Sequence, residues 1–452
     1  MALASCALPT TPIFRGDELT GDAQMVRLAG NVPPMARAEF DAGAVSANLR
    51  LERMVLVLTP SAQQQADLDA LVASQQDSSS PQYHEWLTPA EFGARFGVSD
   101  AQLSQVSAWL TAHGFSIDEV PAGRRVVEFS GTAGQVSDAF RTAIHYYRVN
   151  GAMHLANAQD PQIPAELAGV VAGVLTLNDF RRVSQIASAR PMAAQPEYSA
   201  GATHYLFPAD FATIYDLNPL FSAGTNGSGT AIAIAGRSNI ELSDVASFRS
   251  LADLAANAPS VILDGADPGL VSGDQSESTL DVEWAGSVAP AAEINLVVAA
   301  STSTTDGIDL ASAYIVNHAV APVMSVSYAT CEQEMSAAEL AFYNSLWEQA
   351  ASQGMSVFVA AGDAGAAGCQ TADATMGSGA AVNGLCTSPY ATCVGGTEFN
   401  EGANAAVYWS AANSAAQGSA LSYISEEVWN ESALNGGTGL YASGGGASAI
   451  YK

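Results

Sequence analysis

Two carboxylic acids four residues apart, Glu277 and Asp281, are the residues in this chain best suited to act together in acid–base chemistry. Four residues is about one helical turn, so a helix here places both carboxyl groups on one face. Like charges this close oppose each other's ionisation, which pushes one carboxyl toward holding a proton near neutral pH. Such a pair suits proton transfer in acid, although a solvated acidic helix face has the same pattern.

The segment around the pair predicts the helix that the chemistry requires. A Gly-, Pro- and Asp-containing loop (residues 264–274) precedes it, so the helix should begin at residues 274–276. Apolar residues then follow at amphipathic spacing: Leu280, Val282, Ala285, Val288 and Ala289.

Beyond Tyr215, apolar strands alternate with amphipathic helices, which predicts a doubly wound parallel sheet covered on both faces. Strands are expected at residues 230–236, 260–263, 292–300, 321–329 and 355–363, with helices at 241–254, 307–317 and 336–353. Tyr328 and Asp363 end two of these strands, and the carboxylate helix follows a third. Since ligands of such sheets bind at the carboxyl ends of the strands, we expect these groups to share one edge.

The amino-terminal half has a different pattern, typical of an α+β ferredoxin-like domain. Strands are predicted at residues 54–60, 115–120, 125–129 and 144–149, with helices at 61–74, from Ser99 to His113 and from Thr132; a further helix is predicted within 161–179. Residues 184–205 have linker composition. The predicted organisation is an unassigned segment 1–45, a first domain 46–183, a linker 184–205 and a second domain 206–452.

Charge separates the two halves. The 452 residues have a net charge of −29, and 13 of the 16 Lys and Arg residues lie before residue 191. So acidic a surface argues against nucleic acid and anionic membranes as partners. It also suits an acidic medium, where the carboxylates approach neutrality, although acidity for solubility alone is an equal interpretation.

Four of the five cysteines, Cys331, Cys369, Cys386 and Cys393, lie in the second half without the spacing of a zinc site. We expect two disulfides, hence a secreted or periplasmic protein. Cys386 and Cys393 could close a small loop and leave the other two together, but the sequence does not fix the pairing. No complete signal peptide is recognisable, and no apolar run is long enough to span a membrane. The six histidines are scattered, without an HExxH motif.

Four segments together resemble the sedolisin, or serine-carboxyl peptidase, family with its kumamolisin-type activation prodomain. They are residues 80–97 (SPQYHEWLTPAEFGARFG), 276–292 (SESTLDVEWAGSVAPAA), 325–332 (SVSYATCE) and 358–369 (FVAAGDAGAAGC). The resemblance implies a subtilisin-like fold in which a Glu replaces the catalytic His. It further implies a monomeric, acid-acting endopeptidase zymogen, whose substrates are proteins or peptides and whose prodomain is an intramolecular inhibitor.

The resemblance also implies a role for each site residue. Glu277 would be the general base for a serine nucleophile, Asp281 would orient Glu277 through a shared proton, and Asp363 would stand at the oxyanion hole. A carboxyl protonated below about pH 5 can donate a hydrogen bond to a developing oxyanion. Ser327 and Tyr328 match the family's substrate-lining segment, though Tyr328 is equally compatible with a core aromatic.

The chain departs from the family at its nucleophile. No Gly-Thr-Ser motif follows Asp363, and the Gly-rich context of Ser443 and Ser448 favours backbone placed near substrate over a nucleophile. We therefore expect a C-terminally truncated chain, inactive by itself. Calcium is expected for a full-length family member, but the acidic loop that would bind it is not recognisable in this sequence. Alternatives are an inert pseudopeptidase or binding fragment, and a Ser-His-Asp subtilisin, which lacks a His at the position of Glu277.

Overall fold

The computed structural model describes residues 24–184, 199–200, 203–204, 206–369, 379–403, 405–433 and 440–451. No helix among these residues is both long and apolar enough to cross a membrane.

The amino-terminal half builds an α+β domain. Its helices are α1 (Ala62–Gln76), α2 (Pro89–Phe96), α3 (Asp100–Ala112) and α4 (Ala133–Phe140). Its strands are β1 (Met25–Arg27), β2 (Asp41–Ala44), β3 (Arg50–Leu58), β4 (Ser116–Glu119), β5 (Val126–Thr132), β6 (Ile144–Val149), β7 (Ala152–Asn157), β8 (Gln162–Pro164) and β9 (Val171–Val174), and the chain leaves through β10 (Val183–Ser184). Each helix begins with a capping box, in which a Ser or Thr and a Glu or Gln three residues later satisfy each other's backbone N–H groups.

The main sheet of this domain has the strand order β4-β5-β3-β9 and is antiparallel throughout, which confirms the ferredoxin-like prediction. Two details of the prediction are wrong. Strand β6 pairs with β2 and β7 in a separate sheet, and the fourth strand is β9, inside the predicted helix 161–179. A short apolar run does not distinguish a buried strand from a helix by its period. Gly173 is the residue that indicates a strand here. A Cβ at this position would lie 2.7 Å from Cβ of Ala338 on a neighbouring helix, so the backbone of β9 approaches that helix closely.

The carboxyl-terminal half has an α/β architecture. Its helices are α5 (Pro208–Ile214), α6 (Asn218–Ser222), α7 (Leu242–Leu251), α8 (Asp274–Val288), α9 (Gly307–His318) and α10 (Ala337–Ser352). Its strands are β11 (Ser199–Ala200), β12 (Thr203–His204), β13 (Ala231–Gly236), β14 (Ser260–Asp264), β15 (Glu293–Ala299), β16 (Val323–Val326), β17 (Tyr328–Ala329), β18 (Ser356–Ala360), β19 (Thr392–Val394), β20 (Thr397–Phe399) and β21 (Glu426–Val428). Short 3-10 turns lie at Ala38–Phe40, Ala165–Leu167, Glu332–Glu334, Gly384–Cys386 and Ala405–Val407.

Six strands form a parallel sheet in the order β14-β15-β13-β16-β18-β19. The predicted fold class, a subtilisin-like doubly wound parallel sheet preceded by an α+β ferredoxin-like prodomain, is thereby confirmed. Helices α9 and α10 lie between the two halves, and one apolar core joins Val55 and Leu175 of the first half to Ala313, Phe342 and Leu346 of these helices. The first half is therefore docked on the second through buried apolar surface.

Both expected disulfides form. Cys331 is joined to Cys369, and Cys386 to Cys393, so the structure selects the pairing that the sequence left open.

Candidate active site

The start of helix α8 is fixed by ion pairs. Arg237, directly after β13, donates from Nε to Oδ2 of Asp274 at 2.8 Å and from Nη2 to Oδ1 at 3.0 Å. Its Nη1 also donates to Oδ2 of Asp306 at 3.0 Å. The ion pair between Arg237 and Asp274 holds the first turn of α8 against the carboxyl end of the central strand β13. That turn contains Glu277.

Helix α8 carries the predicted carboxylate pair in a largely enclosed position. Glu277 is 3% exposed, and its Oε2 accepts a hydrogen bond from the hydroxyl of Ser184 at 2.7 Å. One turn later, Oδ1 of Asp281 accepts from the hydroxyl of Ser327 at 2.9 Å. Oδ2 of Asp281 is buried without a hydrogen-bond partner among the described residues. These contacts exclude the interpretation of the pair as a solvated acidic helix face. The prediction for Leu280 is wrong, because this residue of the predicted apolar face is exposed.

Burial dominates the electrostatics of the pair. It raises the pKa of Glu277 to about 8, with a further contribution from the charge of Asp281 and an opposing one from the Ser184 hydrogen bond. Burial likewise raises the pKa of Asp281 to about 7, against the Ser327 hydrogen bond. The sequence attributed the upward shift to like-charge repulsion, but desolvation is the larger cause. Near neutral pH the pair therefore retains protons.

Asp363 lies at the same edge of the sheet, three residues after β18. Its carbonyl oxygen accepts from the N–H of Ala442 at 2.9 Å, and its charge contributes to the raised pKa of Glu277. The structure thus brings together the three acids that the sequence singled out, Glu277, Asp281 and Asp363.

Ser327 lies between β16 and β17, and Tyr328 begins β17, beside the pair. The hydroxyl of Ser327 donates a hydrogen bond to Asp281. The Tyr328 side chain is 1% exposed, and the Arg237 guanidinium carbon lies 4.9 Å from its ring centroid. Only the backbone of Tyr328 is therefore presented to a ligand strand. That these residues line a substrate site stays a prediction.

The segment that leaves the first half, β10, already pairs with β17, where the substrate is predicted to bind. In β10, Val183 lies opposite Ala329 and Ser184 opposite Tyr328, in antiparallel register with β17. Sequence reasoning missed Ser184 as a site residue, because it begins a segment of linker composition. The nearby Arg181 and Arg182 were the available signal, since these two consecutive arginines lie just before a linker of small and polar residues.

Neither alternative serine contacts Glu277. Ser443 accepts from the N–H of Gly396 at 2.9 Å, and Ser448 donates to Glu332. A Cβ on Gly444 would lie 2.1 Å from the carbonyl oxygen of Ala361, so glycine permits close backbone approach here, as the Gly-rich context predicted.

A metal ion finds no suitable donor set among the described residues. Cys331, Glu334 and Cys369 lie within reach of one another, but the two sulfurs are joined as a disulfide, and calcium takes oxygen ligands. These residues do not fit calcium, which stays a prediction for a full-length family member.

Comparisons with known proteins show which proteins this chain is similar to. The pro-kumamolisin activation domain matches residues 40–180. The chain is 30% identical to sedolisin from Pseudomonas sp. (strain 101) over 404 residues, covering 88% of this chain and 65% of that protein. It is 29% identical to xanthomonalisin from Xanthomonas sp. (strain T-22), covering 96% of this chain and 54% of that protein. It is 27% identical to kumamolisin from Bacillus sp. (strain MN-32), covering 94% and 72%.

Among solved structures, Pseudomonas sedolisin, a serine-carboxyl proteinase complexed with two molecules of pseudo-iodotyrostatin, matches at 27% identity. The match has a TM-score of 0.42 and covers 54% of this chain and 63% of that one. The chain thus spans 65% and 54% of the length of the first two relatives.

Proposed function

Because this chain belongs to the sedolisin family, we propose that it forms the zymogen region of an acid-acting serine-type endopeptidase whose substrates are proteins or peptides. The proposal rests above all on one observation: the buried Glu277 and the Asp281 carboxyl, whose Oδ2 is also buried, lie at the edge of a parallel sheet where an extended chain is already paired. Within the proposal, residues 46–183 are the prodomain, 184–205 the linker and 206–452 the peptidase domain.

In the proposed reaction, Glu277 takes the proton of a serine hydroxyl as that oxygen attacks the scissile carbonyl. Asp281, held by Ser327, orients Glu277, and Asp363 in its protonated form donates a hydrogen bond to the oxyanion. No Gly-Thr-Ser motif follows Asp363 in the 452 residues. Within the proposal, the 452 residues do not identify the nucleophilic serine.

The raised pKa of Glu277 belongs to the inhibited state. Burial is its largest cause, and Ser184 of β10 contacts the carboxyl, so we expect departure of β10 to readmit water and lower the pKa toward the ordinary value for Glu. A carboxylate with a pKa near 4 is a competent base at acidic pH, where Asp363 can be protonated. Acid operation and inhibition by the prodomain thus follow from the same contact.

Acid processing tests this proposal, in a gene product that contains a Gly-Thr-Ser motif after Asp363. The wild type and a Glu283→Gln variant should release the prodomain and degrade a denatured protein at pH 3 to 5, whereas Glu277→Gln should remain intact and inactive. Glu283 is the matched control, because it lies on the same helix and burial also raises its pKa to about 7. Equal processing by Glu277→Gln would contradict the role of Glu277 as the base, whereas absence of processing in the wild type would contradict the peptidase assignment and favour an inert or binding role.

A secreted or periplasmic location and a monomeric state complete the proposal. The two disulfides support an oxidising compartment.

A further inference from the structure

Arg182 is the most enclosed cation at the junction of the two halves. Its side chain is 2% exposed, and each of its nitrogens contacts an acid of the second half. The backbone N–H donates to Oδ2 of Asp306 at 2.7 Å. Nε and Nη2 donate to the two oxygens of Asp309 at 3.1 and 3.2 Å, and Nη1 donates to Oε1 of Glu339 at 2.9 Å.

The geometry around Arg182 is that of a site selective for guanidinium. Two parallel hydrogen bonds to one carboxylate match the planar fork of arginine, which the ammonium group of lysine cannot reproduce. The ring of Tyr343 lies 5.6 Å from the guanidinium carbon, and its hydroxyl donates to Asp309. We call Asp309, Glu339 and Tyr343 the guanidinium pocket.

Two acids of this pocket depend on Arg182 for their positive partner. Asp306 keeps an ion pair with Arg237 whether or not Arg182 is present. Asp309 and Glu339 have Arg182 as their ion-pair partner among the described residues, and both are 4% exposed or less at the side chain. Withdrawing the arginine therefore leaves two buried carboxylates without a cation, which favours uptake of another.

The arginine and the pocket belong to different parts of the molecule. Arg182 lies two residues beyond the matched activation domain, whereas the pocket residues lie on α9 and α10. The cavity around Arg182 is closed on its other side by residues 175–181 of the first half. Removal of the first half thus opens the pocket and takes away its occupant in the same event.

The position of the pocket along β17 relates it to a substrate. Arg182 directly precedes the residues paired with β17, and it lies two residues before Ser184, whose hydroxyl contacts Glu277. A peptide paired in the same register places one side chain in the pocket, on the amino side of the residue facing Glu277.

From these contacts we propose that the guanidinium pocket is a binding subsite for arginine side chains, occupied by Arg182 before processing and by an arginine of the peptide substrate afterwards. The substrate half of this inference rests on the proposed peptidase function. The binding half does not rest on that function, because the guanidinium pocket is already formed in the chain and occupied by Arg182.

Chemical rescue tests the binding half in the full chain. Arg182→Ala should melt below the wild type at pH 7, and 10 mM n-propylguanidinium should raise the melting temperature of this variant by about 3 °C or more while leaving the wild type unchanged. Arg181→Ala is the matched control, because Arg181 donates only to the carbonyl oxygens of Thr302 and Thr305. Absence of rescue, rescue of the control, or equal rescue by n-propylammonium would overturn the pocket.

Paired peptides test the substrate half and do not require Arg182→Ala to fold. Peptides that differ only by arginine or citrulline at each position on the amino side of the cleaved bond are offered to the acid-processed gene product. We expect kcat/KM to fall about tenfold or more with citrulline at one position, and Asp309→Asn to abolish that ratio. A ratio of one at all positions would overturn the subsite, whereas no cleavage of any peptide would contradict the proposed function instead.

Discussion

The hydroxyl of Ser184 lies 2.7 Å from Oε2 of Glu277, so the end of the amino-terminal half touches the acid on which the proposed chemistry depends. A hydrogen bond to the ionised form of a carboxyl lowers its pKa, and this bond opposes the upward shift caused by burial. Ser184→Ala should therefore raise the pKa of Glu277 further, by about one unit. Carboxyl carbon NMR through a pH titration measures it.

The control for that titration is Ser287→Ala, on the same helix, whose hydroxyl donates to the carbonyl oxygen of Glu283. It should leave the Glu277 titration unchanged. An equal shift in both variants would mean that α8 responds as a whole and that the Ser184 contact has no specific effect.

Stability should depend on pH through the carboxylate pair. The folded pKa values of Glu277 and Asp281, about 8 and about 7, lie above those of the unfolded chain. As pH falls through this window the folded state takes up protons and the unfolded state does not. The free energy of unfolding should therefore rise from pH 8 toward pH 5, by about 1.4 kcal/mol per unit for each proton taken up.

Urea denaturation across that range measures this slope. Glu277→Gln should reduce this slope by about the contribution of one proton, while the solvent-exposed control Glu39→Gln should leave it as in the wild type. A slope that is unchanged in both Glu277→Gln and Asp281→Asn would assign the dependence to other buried carboxyls, such as Glu283.

Arg53 should be important for docking of the two halves. Its Nη2 lies 2.9 Å from Oε2 of Glu128 in the first half and 2.9 Å from Oδ1 of Asp264 in the second. Arg53→Met leaves both acids without this cation, so we expect the free energy of unfolding to fall by about 3 kcal/mol. Arg124→Met is the control, since its partner Asp100 is 84% exposed, and it should cost about 0.5 kcal/mol. Equal losses would contradict a specific role for Arg53.

The two disulfides should differ in their contribution to stability. Cys331 and Cys369 are 38 residues apart and Cys386 and Cys393 are 7 apart. If the bridges act by restricting the unfolded chain, the paired Cys→Ala replacement should cost about 4 kcal/mol for the longer loop and about 2 kcal/mol for the shorter one. Denaturant titration of both variants checks the order, and a larger loss from the shorter loop would contradict this mechanism.

The sequence predicted well those features that local spacing determines. Glu277 and Asp281 lie on one helix at one-turn spacing, and Asp363 follows a strand of the same sheet, so periodicity was sufficient to bring the three acids together. The error at residues 161–179 has the opposite origin. Strand β9 is defined by pairing with β3, more than a hundred residues earlier. Local composition does not indicate that partner.

The contacts of Arg182 and Ser184 were unpredictable for the same reason. Ser184 meets Glu277 93 residues later, and Arg182 meets Asp309 127 residues later. Both residues lie at the predicted boundary between the first domain and the linker, where composition gives no sign of these partners.

The central claim is that Glu277 acts as the base, and kcat/KM for a peptide substrate at pH 4 tests it most directly. With the gene product that includes the nucleophilic serine, Glu277→Gln should lower kcat/KM by about 100-fold or more relative to Glu283→Gln. Equal values for the two variants would contradict the account.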